Sequence, residues 1–450
     1  MKPLAKIVLG KLGSEGRTRD LRNIALILRD AGAEVIYLGL RQTPESLIAA
    51  VEQEDADAVV CITSTHLAIE LLENLQSAGG EMAATPVILA GDIDDGEAEQ
   101  LRRIGIAGVI DSSEVAAQVY RAVYGTEAVD RHADNAEDDN ANDASARHAS
   151  ARSGQATENM ADLLRQARSG SNRAMGRLLS VLEDAREGKI SGDTASGGTA
   201  AELLLSAAAS SSADARDASV STSSVTATSS ASGDSHVIGI TGASGSGKST
   251  LCSGLIKVAS GETRGSGRPK KSDVPAPKIA VLAVDPSSPR TGGAILGDRI
   301  RMTSSIQKPQ SSVSGNVFFR SVAGQSGEIP SWIPDAVKLL RSVGFDLIVV
   351  ETTGVGHVAE IVDTLVMVVT GDYGDDIQAS KAGLLELADI FVVNKTDTQE
   401  ATSVSRDLER MLDSRMESSW RPPVISTVAT SGEGISDLWN MIEALQIYRR

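Results

Sequence analysis

An α/β architecture of two parallel-sheet units is predicted for this 450-residue chain, on three observations. Residues 4–124 alternate short apolar runs with amphipathic stretches. A second apolar run at residues 236–241 leads into a glycine-rich loop, and polar low-complexity tracts separate the two regions. Alternating strand and helix periods imply βα units on parallel sheets, and a chain this long exceeds one ordinary core.

The first unit is expected over residues 1–125. AKIVLG, EVIYLGL, ADAVVCITS, PVILAGD and IAGVI read as strands, and RNIALILRDAG, PESLIAAVEQE, HLAIELLENLQ, GEAEQLRRIG and EVAAQVYRAVYG read as the helices between or after them. Such an order predicts a flavodoxin-like doubly wound domain, with its ligand site at the carboxyl ends of the strands. KLGSEGRTRD, residues 11–20, directly follows the first strand and occupies that position.

After Gly125 the composition turns acidic and Ala/Asp/Asn-rich, so residues 126–158 are expected to be a disordered linker. A helical arm is expected over 159–190, with Leu163, Leu164, Leu178, Leu179 and Leu182 on one face. Residues 191–235 form a Ser/Ala-rich linker, and 236–450 a second α/β unit with a Gly/Lys/Pro-rich insertion near 259–277.

HVIGIT runs into GASGSGKST and then LCSGLIKVA, the strand, loop and helix of a phosphate-binding P-loop. Glycines let backbone N–H groups close on phosphates, and the helix N-terminus adds a favourable dipole. Gly242, Gly245, Gly247, Lys248, Ser249 and Thr250 are the expected nucleotide contacts, with Lys248 on the β- and γ-phosphates and Ser249 on Mg²⁺. ADIFVVNKTD adds Asn394, Lys395 and Asp397, in which a buried Asp397 carboxylate would accept both guanine donors. Adenine offers no such pair, so it would leave the carboxylate unsatisfied. FDLIVVE delivers Glu351, followed by Gly354, and Asp285 and Asp298 follow another strand and turn. Each acid alone would more often be a surface charge. Ser249, Asp285, Asp298 and Glu351 together suit a hard, hydrated cation, with Lys248 and Glu351 as the catalytic pair.

Composition narrows the function. A net charge of −17 argues against non-specific nucleic-acid binding. No apolar stretch approaches the roughly 20 residues of a membrane span, and MKPLAKIVLG offers no signal-peptide pattern, so a cytoplasmic location is expected. Cys61 and Cys252 lack metal or disulfide spacing.

HVIGITGASGSGKST, VLAVDPSSPRTGGAILGDRIRM, FDLIVVETTGVG, GDDIQASKAG, LADIFVVNKTD and WRPPVISTVATSGEGISDLW resemble the MeaB/ArgK GTPases, chaperones of adenosylcobalamin-dependent methylmalonyl-CoA mutase. The resemblance covers the arm and nearly all of residues 236–447. It implies GTP hydrolysis with Mg²⁺, a cobalamin-dependent acyl-CoA mutase as partner, and a nucleotide-responsive switch at residues 374–383. The chain departs from the family at RSVAGQSGEIPSW, with Pro330 at a flexible position, and at His357 in place of glutamine. The family's C-terminal dimer extension is expected to be missing beyond Arg450, with a homodimer still possible.

LRDAGAEVIYLGLRQTPESLIAA resembles the mutases' cobalamin-binding domain, whose DxHxxG loop supplies a histidine to cobalt. Here the loop falls on Glu15, Arg17 and Asp20, and a guanidinium has no lone pair for cobalt. Thr63, Ser64 and His66 match a second cofactor segment, and Ala90 with Gly91 partly match a third. The first unit is therefore expected to be a docking surface. The alternative is a cobalamin-carrying mutase subunit fused to its chaperone. A nickel-insertion GTPase would need the His-rich tract or paired cysteines that this sequence lacks, and an amino-acid kinase would need an acceptor site that cannot be identified.

Overall fold

The computed structural model describes residues 5–13, 18–90, 93–110, 115–124, 160–187, 201–202, 204–209, 235–261, 276–297, 299, 316–325, 328–353, 357–371, 387–413 and 420–449. The chain divides into two compact units, Met1–Thr222 with Asp285–Ile300, and Ser223–Val284 with Arg301–Arg450.

The first unit holds β1 (Lys6–Leu12), α1 (Thr18–Asp30), β2 (Glu34–Gln42), α2 (Pro44–Glu54), β3 (Ala58–Ile62), α3 (Thr65–Ala78), α4 (Gly80–Ala84), β4 (Val87–Ala90), α5 (Asp95–Ile104), β5 (Gly108–Ile110) and α6 (Val115–Tyr124). Its sheet runs β5-β4-β3-β1-β2-β8, where β8 (Ala294–Leu296) comes from far along the chain. Neighbouring strands pair in parallel throughout. The expected strand order in sequence is thus present, with β1 central as a doubly wound sheet requires. Ile7, Leu9, Val35, Val60 and Ile88 are fully buried against Leu21, Ile24 and Leu28 of α1, the apolar stripe of LRNIALILRD.

Local chemistry fixes the helix ends. Thr43 and Ser46 form a reciprocal capping box at the start of α2, with Pro44 in the first turn. Asp94 accepts from Gly96 N at 2.8 Å and Glu97 N at 2.9 Å, and Gly105 ends α5 at φ 111.

The two arm helices, α7 (Met160–Arg168) and α8 (Asn172–Arg186), lie in the first unit. Gly176 permits this approach: a Cβ there would stand 2.5 Å from the Glu52 carbonyl oxygen and 2.9 Å from that of Gln53. Lys6 reaches Glu34 at 3.3 Å and Glu183 at 3.4 Å, and Arg177 reaches Asp55 at 3.4 Å. Part of the Ser/Ala-rich linker is ordered here. Residues 204–209 are helical, Leu204 and Ala208 are buried, and Arg168 donates to Ala208 O at 3.0 Å.

The second unit contains β6 (His236–Gly242), α9 (Lys248–Ala259), β7 (Ile279–Pro286), β9 (Val317–Gly324), α10 (Ile333–Val343), β10 (Leu347–Thr352), β11 (Thr364–Val369), β12 (Ile390–Asn394), α11 (Gln399–Asp413), β13 (Val424–Thr427) and α12 (Ile435–Arg449). Its sheet order is β13-β12-β11-β6-β10-β7-β9. All six strands from β13 to β7 pair in parallel, and their interiors are continuous apolar runs, as in a sheet covered on both faces. Aspartates fasten the entering strand ends: Asp363 accepts from Val237 N at 2.7 Å, and Asp389 from Leu365 N at 2.8 Å.

Among the described residues no helix is long and apolar enough to cross a membrane.

Candidate nucleotide site

β6 is flanked by β10 on one side and β11 on the other, so its carboxyl end opens where the sheet order reverses. There the chain turns through GASGSG into α9. Gly242 has φ 148, and a Cβ on it would lie 2.2 Å from Val368 O. Gly247 has φ 91, and its Cβ would lie 2.3 Å from the Asn394 amide nitrogen. Only glycine meets both demands, a positive φ and a close neighbour. Gly245, exposed at φ 79, has nothing within 4 Å of a would-be Cβ, leaving its backbone open to a ligand.

Lys248, 4% exposed, donates its ammonium to Gly242 O at 2.9 Å and to Ala243 O at 2.8 Å. The charge is therefore held over the loop that expects phosphate. Ser249 donates from Oγ to Glu351 Oε1 at 2.8 Å, and both residues are buried. A hydroxyl and a carboxylate in contact at the start of a helix form the oxygen pair expected for Mg²⁺. Thr250 is partly buried in the first turn of α9.

Asn394 joins the two nucleotide motifs. Its amide donates to Ser246 O at 2.8 Å, and its Oδ1 accepts from Thr427 Oγ at 3.1 Å and Ala429 N at 3.1 Å. The P-loop, the end of β12 and the TVATSGEG loop thus share one buried side chain, 2% exposed. Thr427 belongs to neither nucleotide motif, and its place at the end of a strand leading into TVATSGEG is the signal that marks it. Lys395 takes φ 61, a conformation rare outside glycine, and Thr398 Oγ donates to its carbonyl at 3.0 Å. Asp397 is exposed here, where burial was expected; it stands in the turn beyond β12, and its discrimination would come from the ligand's own donors.

Asp285 lies partly buried near the end of β7, one residue beyond Val284, whose partner in β10 is Thr352. Asp298, Gly354 and the switch at residues 374–383 lie outside the described residues, as do Glu15, Arg17 and Gly91. No group of three or more His, Cys, Asp or Glu that could hold a metal is assembled among the described residues. The oxygen pair of Ser249 and Glu351 is the part of the expected cation site that the structure brings together.

The donor set fits GTP with Mg²⁺. The loop glycines form a cradle that Cβ atoms would fill, and Ser246 Oγ is buried without a hydrogen-bond partner. Cobalamin with a protein histidine on cobalt does not fit the first unit equally well. His66 is exposed in the first turn of α3, and position 17 offers a guanidinium.

Fold and site together define a P-loop α/β protein with an NKxD sequence at the carboxyl end of β12. The model of the methylmalonyl Co-A mutase-associated GTPase MeaB family matches residues 205–449, and the chain belongs to that family. A B12 binding domain model matches residues 5–120. A relative named as a GTPase in Pyrococcus horikoshii is 43% identical over 221 residues, covering 47% of this chain and 64% of that protein. The GTPase ArgK of Escherichia coli is 34% identical over 224 residues, covering 47% of this chain and 61% of its own. The chain therefore spans less than two thirds of these relatives. The fused isobutyryl-CoA mutase of Geobacillus kaustophilus is 26% identical over 402 residues, 88% of this chain and 32% of that one. That alignment takes in most of the chain and reaches into both matched regions.

Proposed function

We propose that this chain binds and hydrolyses GTP and serves as a chaperone for an adenosylcobalamin-dependent acyl-CoA mutase, assisting cofactor loading or protection. The observation carrying the first half is the linkage of Ser249 to Glu351 and of Asn394 to Ser246, which joins the phosphate loop to a cation carboxylate and to the base-reading motif.

Gly242, Gly245, Gly247 and Thr250 would shape the phosphate cradle. Lys248 would exchange its loop carbonyls for β- and γ-phosphate oxygens. Ser249 and Glu351, with Asp285 and Asp298, would hold Mg²⁺, which neutralises charge on the phosphates. Glu351 would also orient the attacking water, and Asn394, Lys395 and Asp397 would fix guanine. A mutase partner is supported by the family description and by the likeness to a fused isobutyryl-CoA mutase. A cytoplasmic location and the absence of a nucleic-acid or membrane partner belong to the same reading.

GTP turnover measured with and without a mutase tests it. Turnover should be slow alone and faster with the partner; no nucleotide-dependent association with any acyl-CoA mutase would sink the chaperone reading. The second reading, a cobalamin-carrying subunit, is favoured by the B12 binding domain match and opposed by Arg17.

A further inference from the structure

The last turn of α2 carries Glu52 and Glu54, its C-cap is Asp55, and the turn has no basic residue of its own. Carboxylates at the negative end of a helix dipole are unfavourable unless cations meet them. Each of the three is met by an arginine from far along the chain, all within the first unit.

Two of these arginines come from the arm. Arg177 of α8 is buried and reaches Asp55 at 3.4 Å, while the charge of Arg173 acts on half-buried Glu52 and its guanidinium donates to Gly79 O at 3.2 Å. Gly176, between them in sequence, lies close against the carbonyl oxygens of Glu52 and Gln53, so the arm also holds the backbone of this turn. The third arginine comes with β8. Arg299, 1% exposed, donates to Glu54 Oε1 at 3.0 Å, Gln53 Oε1 at 2.7 Å and Ala49 O at 3.4 Å, and Glu54 is fully buried. The same segment is seated by Thr291 Oγ, which donates to Arg29 O at 3.1 Å, and by the parallel pairing of Ala294, Ile295 and Leu296 with Glu34, Val35 and Ile36.

We propose that the last turn of α2 is a shared acidic socket that couples the arm to the β8 segment, so that seating either one strengthens the hold on the other. Three arginines against three acids leave no excess charge among these groups, so like-charge repulsion between the arm and the β8 segment is offset. Order then sets the sign. Residues 52–55 must be fixed before either set of arginines can be held, and whichever segment seats first bears that conformational cost for both. Coupling of this kind is reciprocal. A partner that drew the arm off α2 would thereby loosen β8 from the first sheet.

Hydrogen exchange on the full chain, with one variant on each side of the socket, tests the coupling. In the wild type the amides of 294–296 and those of 175–186 should both be protected. Arg177→Gln should speed exchange at 294–296 by about fivefold or more, and Arg299→Gln should speed exchange across 175–186 by a similar factor. The amides of β4, four strands from β8 in the sheet, should stay within about twofold of wild type in both variants, which separates coupling from general destabilisation. Exchange at 294–296 that is unmoved or slowed by Arg177→Gln overturns the proposal. So does a response on one side only, or a rise at β4 equal to that at the reporting segment. Should either variant not fold, Asp55→Asn keeps a residue that tolerates the left-handed conformation at φ 50 and removes only the charge that meets Arg177. It should move 294–296 in the same direction, and no movement there overturns the proposal.

Discussion

Asn394 uses both ends of one amide to hold the P-loop and the loop after β13. Beside it Asp397 is exposed, its carboxylate open to a base. Guanine presents two donors to that carboxylate, whereas xanthine replaces the amino group with a carbonyl. Asp397→Asn should weaken GTP binding at least about 100-fold, in line with loss of a charge-assisted donor pair. The same variant should gain affinity for XTP, and competition titration with the two nucleotides measures both. Cys61 gives a second residue-scale expectation. It is fully buried, and burial pushes its thiol up to about 12, so almost no thiolate forms near neutral pH. Cys252 is also fully buried. A thiol reagent at pH 8 should therefore leave both cysteines unmodified until denaturant is added, and rapid labelling of native protein would contradict this burial.

At the scale of elements, docking of α8 on α2 turns on Gly176. An exposed helical glycine replaced by alanine usually stabilises, by about 0.4–1 kcal/mol. Here the added methyl would meet the Glu52 carbonyl oxygen at 2.5 Å. Gly176→Ala should instead destabilise by about 1–3 kcal/mol, read as an earlier thermal or urea transition, so the sign alone decides the point. Glu52 itself is half-buried at the same contact. Burial raises its carboxyl above the ordinary range, with Arg173 opposing the shift. A raised carboxyl favours the native state below its unfolded pKa, and that contribution is lost as pH rises through the native value. Glu52→Gln should flatten the weakly acidic part of the stability profile, followed as the unfolding midpoint against pH. The strands of both sheets were legible because short β-rich runs and flanking helix periods carry their own pattern. The three residues of β8 were not, since AIL is too short to show a period and its partner Glu34–Ile36 lies about 260 residues away. The helix at 204–209 was hidden by a serine-rich composition; its burial comes from Leu204 and Ala208, contacts that composition cannot express.

At the scale of the whole molecule, one chain carries a GTPase-type unit and a unit matched by a cobalamin-binding model, and the sequence separates their competence. The loop after β1 keeps the length of the cofactor motif but has Glu15, Arg17 and Asp20 at its three defining positions. Arginine cannot donate a lone pair to cobalt at any accessible pH. Asp20, exposed in the first turn of α1, instead complements the positive end of that helix. Gel filtration after mixing the full chain with hydroxocobalamin should therefore leave no histidine-ligated red complex on the protein. The triple variant Glu15→Asp, Arg17→His, Asp20→Gly rebuilds the motif. Its cost is loss of a favourable charge and a glycine in an early helical turn, about 1 kcal/mol or somewhat more, which a six-stranded unit can sustain. It should retain the chromophore with a spectrum showing histidine on cobalt, while GTP affinity stays within about twofold, since every proposed nucleotide ligand is unchanged. Retention of cobalamin by the wild type with the same histidine signature would show that another residue, such as the exposed His66, had taken over the cobalt. A triple variant that folds and binds no corrinoid would show that the unit has lost more of the cofactor site than its first loop.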